Sequence, residues 1–315
     1  MEFARLEFEA FYDAVLMLTY FDAATYPLRN SGSRGETGLM LVAGDFFNLR
    51  EFAHRDIFSE DEAVWTALDR LPGYLGSFFR APWPLAGITG QVHKSLAVYD
   101  GQILEDIEVK PCGPKGSIRI LRGGKVLEGA AGIMAGACLL DDNILIGPGT
   151  IVEPGVFIKG PVVIGSDTEI RQGAYIRGDC LVGDHCVVGH TTELKGSIML
   201  DGAKAGHFAY VGDSILGNDV NLGAGTKLAN LKMIPGQIVI RKDKKRINTG
   251  RRKLGAILGD RTQTGCNAVT SPGTLTGPDA VIYPGVCAPS GYYPAKTYFM
   301  PSHGTLKIFT PNQSP

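Results

Sequence analysis

The sequence predicts a mainly β protein, a parallel β-helix of hexapeptide repeats preceded by a small N-terminal α/β domain. The repeat is the first observation. Apolar residues recur every sixth position at Ile146, Val152, Ile158, Ile164, Ile170, Ile176, Val182, Val188, Leu194 and Leu200, and glycine follows at Gly147, Gly165, Gly183 and Gly189. A period of about 6 fits neither a helix at about 3.6 nor a strand at about 2, and short repeats of this kind build parallel β-helices, three hexads making one three-sided coil of about 18 residues. The second observation is glycine, 42 of 315 residues, twice the usual share of about 7%, which suits a chain that turns every few residues. The third is a change of phase. After Leu200 the pattern runs through Ala205, Val211, Leu216, Leu222 and Leu228, so Leu200 to Ala205 and Val211 to Leu216 are shortened steps, and His207 lies between them.

Residues 1–90 lack the repeat and read as the α/β cap or a substrate domain. Asn30 to Gly38 is a loop, and LMLVAG after it reads as a buried strand. Ser59 and Glu62 form a capping-box pattern ahead of Val64, Leu68 and Leu71, which predicts an amphipathic helix over 60–71, stopped by Pro72-Gly73. Phe78 to Pro84 reads as the exit from this unit. A cap over the open end of the solenoid is preferred to a substrate domain, because a first coil left bare exposes unpaired strand edges and apolar interior. Residues 91–290 form the β-helix domain, opening with irregular strand-like runs from about 92 to 140 and locking into phase at Ile146. A basic hairpin over 231–253 interrupts it, carrying Lys232, Arg241, Lys242, Lys244, Lys245, Arg246, Arg251, Arg252 and Lys253. Most of these read as a solvated face, and the last three as better placed for anion binding. The phase resumes at Leu258, Thr264, Thr276 and Ile282, and residues 291–315 form a tail.

Composition excludes several classes. A hydrophobic content of 44% with 20% charged residues is enough for a large core, and a net charge of -1 argues against nucleic-acid or membrane-surface binding driven by overall charge. The start MEFARLEFEAFYDAV has acids among its apolar residues, unlike a signal peptide, and no run reaches the length of a membrane span. Six cysteines without a CxxC pair read as reduced thiols in a cytoplasmic protein.

Spacing alone selects one pair of residues. Positions one coil apart lie about 4.8 Å from each other, and Arg177 and Lys195 stand in that relation. Two cations so close repel unless an anion lies between or before them, and a phosphate is the natural candidate.

Hexad coils with a lone internal histidine resemble the acyl- and acetyltransferases of the left-handed β-helix class. The string AGHFAYVGDSILGNDVNLGAGTKLAN is similar to the acetyltransferase half of the bifunctional glucosamine-1-phosphate acetyltransferase/N-acetylglucosamine-1-phosphate uridyltransferase family, and TGRRKLGAILGDRTQTG to the following coil of archaeal-type members. The resemblance covers about residues 140–290 and implies a left-handed helix, an exception to the usual right-handed crossover. It implies His207 as general base, Ala224 as the backbone N–H donor to the oxyanion and Asn230 as a further catalytic residue. Arg177, Lys195, Tyr210, Asn221 and Lys253 become sugar-phosphate contacts, and Ala224 and Cys266 contacts of acetyl-CoA. A cytoplasmic homotrimer with sites between subunits is implied, with acetyl-CoA as co-substrate and no metal. Two departures stand out. LMLVAGDFFNLRE lacks the second glycine and the basic residues of the family's nucleotidyltransferase signature, so no uridyltransferase activity is expected. Leu231 replaces a frequent tyrosine, and Cys266 and Pro284 occupy donor-binding positions, which loosens the assignment of the acyl donor.

Three alternatives compete. A UDP-amino-sugar N-acyltransferase resembling UDP-3-O-acylglucosamine N-acyltransferase also joins an N-terminal domain to a β-helix, but its catalytic-histidine surroundings are not found. A non-catalytic regulatory scaffold predicts random replacement of the polar site positions, whereas Arg177, Lys195, His207, Tyr210, Asn221 and Lys253 are all in place. A zinc site of the trimeric β-helix carbonic anhydrase type, suggested by His185 and His190, lacks its partners, because Lys195 and Pro154 occupy the ligand positions.

Overall fold

The computed structural model describes residues 40–112, 118–302 and 304–311. The expected loop Asn30 to Gly38 and most of the first forty residues lie outside them. The three-sided parallel β-helix predicted from the repeat is present: strands of mostly two to four residues stack into sheets of nine, twelve and eight strands that share one interior. Repeat residues point inward and form one buried cluster, with Val152, Ile170, Val188 and Ala205 from one sheet, Ile158, Ile176, Leu194 and Val211 from the second, and Ile146, Ile164, Val182 and Met199 from the third. Each such burial contributes roughly 1.5–3 kcal/mol. Buried threonines tie adjacent coils from within: the Thr150 hydroxyl donates to the Gly165 carbonyl (2.6 Å) and accepts from the Thr168 N–H (3.0 Å).

The first phase slip lies one residue earlier than the repeat suggests. Met199, not Leu200, pairs with Val182 and enters the interior. Leu200 is buried in a separate cluster outside the helix. Two adjacent apolar residues can each find a core here, so the six-residue pattern alone does not choose between them.

That second core comes from the eight-stranded sheet, which is covered on its outer face. Val163, Leu181, Ile198, Ile215, Ile257 and Leu275 point outward and pack under Leu41, Phe46, Phe52, Ile57, Trp65, Leu68, Leu71 and Leu75. The described part of the N-terminal region therefore lies along the side of the solenoid rather than over its end. It holds three short 3-10 turns and one α-helix, α1 (Ala67–Ser77), and the described residues of LMLVAG begin a 3-10 turn instead of a strand. The helix starts later than expected and runs through Pro72. A proline inside a helix costs about 3 kcal/mol, but Leu68, Leu71 and Leu75 fall on the face against the sheet and offset it. Glu62 does not cap the helix; its carboxylate accepts from Arg70 (2.8 Å) and from the Thr66 hydroxyl (2.9 Å).

The open end is closed by residues after this segment. Gly90–Gln91 and Leu96–Tyr99 pair antiparallel with Cys138–Leu139 and Ala131–Ile133, and Leu85, Val92 and Leu96 fill the end of the interior. At the other end coils continue past residue 290: Gly291–Tyr293 extends the covered sheet, and Tyr298–Ser302 forms a hairpin with Thr305–Phe309, so the described part of the expected tail is structured.

The insertion forms the hairpin Val239–Lys242 with Lys245–Asn248. Ile238 and Ile240 join the outer core beside the covered sheet, while Arg241, Lys244, Lys245 and Arg246 remain exposed. Arg251 is not free for an anion, because its guanidinium pairs with Asp69 of α1.

Candidate active site

The nine-stranded sheet keeps an open outer face. Two of its strands, Phe157–Lys159 and Tyr175–Arg177, read exposed, buried, exposed. Parallel pairing stacks the outward residues into two columns: Phe157, Tyr175, Glu193, Tyr210 and Lys227 in one, and Lys159, Arg177 and Lys195 in the other. The face thus carries most of the polar residues selected from the sequence.

One corner of this face holds the proposed base. His207 ends the strand Lys204–His207 of the twelve-stranded sheet and is exposed. The strands pair Ala205 with Leu222 and Leu222 with Thr264. This register stacks His207, Ala224 and Cys266 along one corner. Backbone hydrogen bonds fix the stack: Gly225 N–H donates to the His207 carbonyl (2.9 Å), and Asn267 N–H to the Ala224 carbonyl (2.8 Å). Glycine is required at this approach, since a Cβ on Gly223 would lie 2.5 Å from the Gly265 carbonyl carbon. One coil before His207 stands His190, whose Nδ1–H donates to the Gln172 carbonyl (2.8 Å) and whose ring meets the exposed Phe208 edge-on at 5.5 Å.

The opposite edge of the face holds a polar cluster. Asp213 Oδ2 accepts from Lys195 Nζ (3.2 Å) and from Asn230 Nδ2. Asn230 is also hydrogen-bonded to Tyr210, whose hydroxyl is pushed above its ordinary pKa by burial and pulled back in part by Lys195 and Asn230. Gly212 lies beneath: a Cβ there would stand 2.6 Å from Tyr210 Oη and 2.8 Å from Asn230 Nδ2. The backbone of Asp213 is held from both sides, its N–H donating to the Lys195 carbonyl (2.9 Å) and its carbonyl accepting from Gly255 N–H (2.8 Å). Lys253 arrives beside this cluster, bridged to Leu231, with Leu254 N–H on the Asn230 carbonyl (3.0 Å).

Several expectations change in this light. The cation pair does not need an outside anion. Arg177 Nη1 contacts Glu193 Oε1 at 2.6 Å, a bond that raises the guanidinium pKa, and Lys195 has Asp213. The stacking argument for phosphate therefore loses its force, the more so because the Asp179 carboxylate interacts with both Lys195 and Lys159, whereas Lys227 and Lys253 form no salt bridge among the described residues. Asn230 stands across the face from His207, about 10 Å away for the three extended residues between corners, so it lies with Lys195, Tyr210 and Asp213 and not beside the histidine. Asn221 is exposed on the twelve-stranded sheet, in register with Lys204 and Gln263, away from Tyr210. Asp213 was missed, yet it stands 18 residues after Lys195, the same spacing that selected Arg177 and Lys195. Among the described residues no group of three or more His, Cys, Asp or Glu could hold a metal ion.

Comparison with known proteins places this architecture. The model of the family described as "GMPPB C-terminal domain" matches residues 158–252. A bifunctional sugar-1-phosphate nucleotidylyltransferase/acetyltransferase of Sulfurisphaera tokodaii is 45% identical over 98 residues, 31% of this chain and 24% of that protein. The bifunctional protein GlmU of Methanococcus maripaludis is 37% identical over 158 residues, 50% of this chain and 38% of that protein. The chain thus spans well under half the length of these two relatives. It covers 73% of the uncharacterized acetyltransferase YaiX of Escherichia coli O6:K15:H31, at 34% identity over 167 residues. A hexad-built three-sided solenoid with this similarity along most of an acetyltransferase chain belongs to the β-helix acetyltransferase family.

Proposed function

We propose that the protein transfers an acetyl group from acetyl-CoA to the amine of an amino-sugar phosphate, glucosamine 1-phosphate being the first choice. The observation that carries this reading is the division of one open face: His207 and Ala224 adjoin at one corner, and Lys195, Tyr210, Asp213 and Asn230 gather at the other, with Arg177 one coil away. A sugar lying across the strand Tyr210–Gly212 reaches both ends. Its amine nitrogen attacks the thioester carbonyl, the new C–N bond forms as the C–S bond breaks, and the thiolate of CoA leaves. His207 accepts the amine proton, and the Ala224 N–H donates to the oxyanion. Lys195, Arg177 and Lys253 hold the phosphate and so fix the amine near the base.

Cys266, stacked beyond Ala224, lies where the pantetheine arm of the donor would run. The catalytic assembly is a homotrimer, a second copy bringing Asn221 to a neighbour's face, which accounts for its position away from Tyr210. The chain has no uridyltransferase activity of its own, and the acyltransferase coils run from about residue 91 past residue 290, through Gly291–Tyr293 and Tyr298–Ser302. No helix among the described residues is long and apolar enough to cross a membrane.

Mass spectrometry for N-acetylglucosamine 1-phosphate, formed from glucosamine 1-phosphate and acetyl-CoA, tests this. Product with the wild type and a loss of about a hundredfold or more in His207→Ala is expected for a general base. Absence of product from folded wild type rejects the acceptor and donor pair.

A further inference from the structure

One cation of the open face stands apart from the others. Lys195 and Arg177 hold Asp213 and Glu193, and the Asp179 carboxylate acts on Lys195 and Lys159. Lys227 is exposed in the column of Tyr210, one coil beyond it, and forms no salt bridge among the described residues. Its Nζ donates instead to the Gly225 carbonyl at 2.6 Å. That carbonyl belongs to the corner turn that carries Ala224: Thr226 N–H donates to the Gly223 carbonyl (3.1 Å), and Gly225 takes φ 75° to close the turn. Gly225 N–H on the His207 carbonyl and Asn267 N–H on the Ala224 carbonyl tie the turn to the coils on either side. The ammonium is thus anchored to a corner fixed from both directions. The Ala224 N–H itself forms no hydrogen bond among the described residues. An ammonium has three donors, and the Gly225 carbonyl takes one, so two donors on Lys227 and the Ala224 N–H remain unused at the same turn.

We infer that Lys227 is a catalytic residue, its ammonium joining the Ala224 N–H as a second donor to the oxyanion of acyl transfer. The inference rests on the reading above that His207 and Ala224 mark the reacting end. As the amine nitrogen attacks the thioester, the carbonyl π pair moves onto oxygen, and one backbone N–H and one ammonium meet the charge that develops there. When the C–S bond breaks, the pair returns to the carbonyl and the thiolate leaves. Lys227 keeps all its protons throughout. Donors fixed before the charge appears need no rearrangement during the reaction, and a charged donor binds an oxyanion more strongly than a neutral one.

Calorimetric titration of the full chain reads this without turnover, using carboxymethyl-CoA and acetonyl-CoA, thioethers of the same size that end in a carboxylate and in a neutral ketone. The wild type should bind carboxymethyl-CoA about tenfold tighter or more, and Lys227→Met should lose that preference while binding acetonyl-CoA as before. In acetylation of glucosamine 1-phosphate, Lys227→Met should lower kcat about a hundredfold with KM for both substrates nearly unchanged. Lys227→Arg should recover part of the loss. No preference for carboxymethyl-CoA in the wild type, its survival in Lys227→Met, or an unchanged kcat in that variant overturns the inference, even though glucosamine 1-phosphate is acetylated. A preference that depends on Lys227, without acetylation of that sugar, leaves the Lys227 site standing and rejects the acceptor. Equal weakening of both thioethers in Lys227→Met, with a lower denaturation midpoint, assigns Lys227 to holding the corner turn and overturns the inference. A preference for succinyl-CoA over acetyl-CoA that vanishes in Lys227→Met also overturns it, by identifying a receptor for an acidic acyl tail.

Discussion

The covered eight-stranded sheet and the open nine-stranded sheet are built from the same coils and share one interior, yet their outer faces have opposite chemistry. On the covered sheet the strands are apolar on both sides, as in Val162–Ile164 and Cys180–Val182, where every residue is buried. On the open sheet Tyr175–Arg177 buries only its middle residue and leaves both neighbours exposed. A strand buried on both faces reads as a continuous apolar run, and a strand buried on one face alternates. The difference separates packing from chemistry: where the outer column is Val, Leu and Ile, it recruits a second layer of protein, and where it is Lys, Arg, Tyr and Glu, it remains available to a ligand.

Truncation at matched positions should break this symmetry most sharply. Leu181→Ala removes a fully buried side chain between the two layers and is expected to cost about 2–5 kcal/mol, read by chemical denaturation. Tyr175→Ala, on the open face of the same coil, should cost less than about 1 kcal/mol. Equal losses would mean that the open face is covered in solution.

Acid should loosen the covered side selectively. His54 is half-buried among Phe52, Tyr74 and Phe78, its Nδ1 is 2.9 Å from Tyr74 Oη, and desolvation lowers its pKa to about 4 against the upward pull of Asp184 and Asp56. The unfolded chain then binds this proton at higher pH than the folded one, so stability is lost as pH falls from about 6.5 toward about 4, by up to roughly 3 kcal/mol. Hydrogen exchange should rise in 41–79 before it rises in the open sheet, and His54→Phe should flatten the profile.

Smaller effects are expected at the polar cluster. Asp213→Asn removes the charge that holds Lys195, and Gly212→Ala places a methyl against Tyr210 and Asn230. Each should raise KM for the acceptor about tenfold, near 1.4 kcal/mol, with little change in kcat. A fall in kcat at unchanged KM would move this cluster from binding to chemistry.

The inward columns were legible because one residue in six has no alternative to the interior. Met199 and Leu200 were not separable, since each has an apolar destination, one inside and one outside. The outer destination was itself legible in triplets such as Val162-Val163-Ile164, but a reading confined to every sixth position passes over the middle residue. Helix α1 was misplaced because Pro72 is a strong local stop signal and the sheet beneath it is a non-local one. At the site, spacing located Arg177 and Lys195, and the same 18-residue step from Lys195 leads to Asp213, whereas Glu193 reaches Arg177 at 16 residues, off that period.

Residues 41–79 are also pinned far along the chain. Asp260 accepts from Asn48 N–H (2.8 Å), its own N–H donates to the Phe46 carbonyl (3.0 Å), and Arg251 holds Asp69. A growing polypeptide makes these segments in the inconvenient order. At about 5–20 residues per second, the stretch from Leu41 to Leu75 waits on the order of ten seconds or more for Ile257 and Leu275, its last apolar partners, to leave the ribosome. During that interval its leucines and phenylalanines have only an incomplete docking surface, which makes this stretch the natural client for a holding chaperone during synthesis.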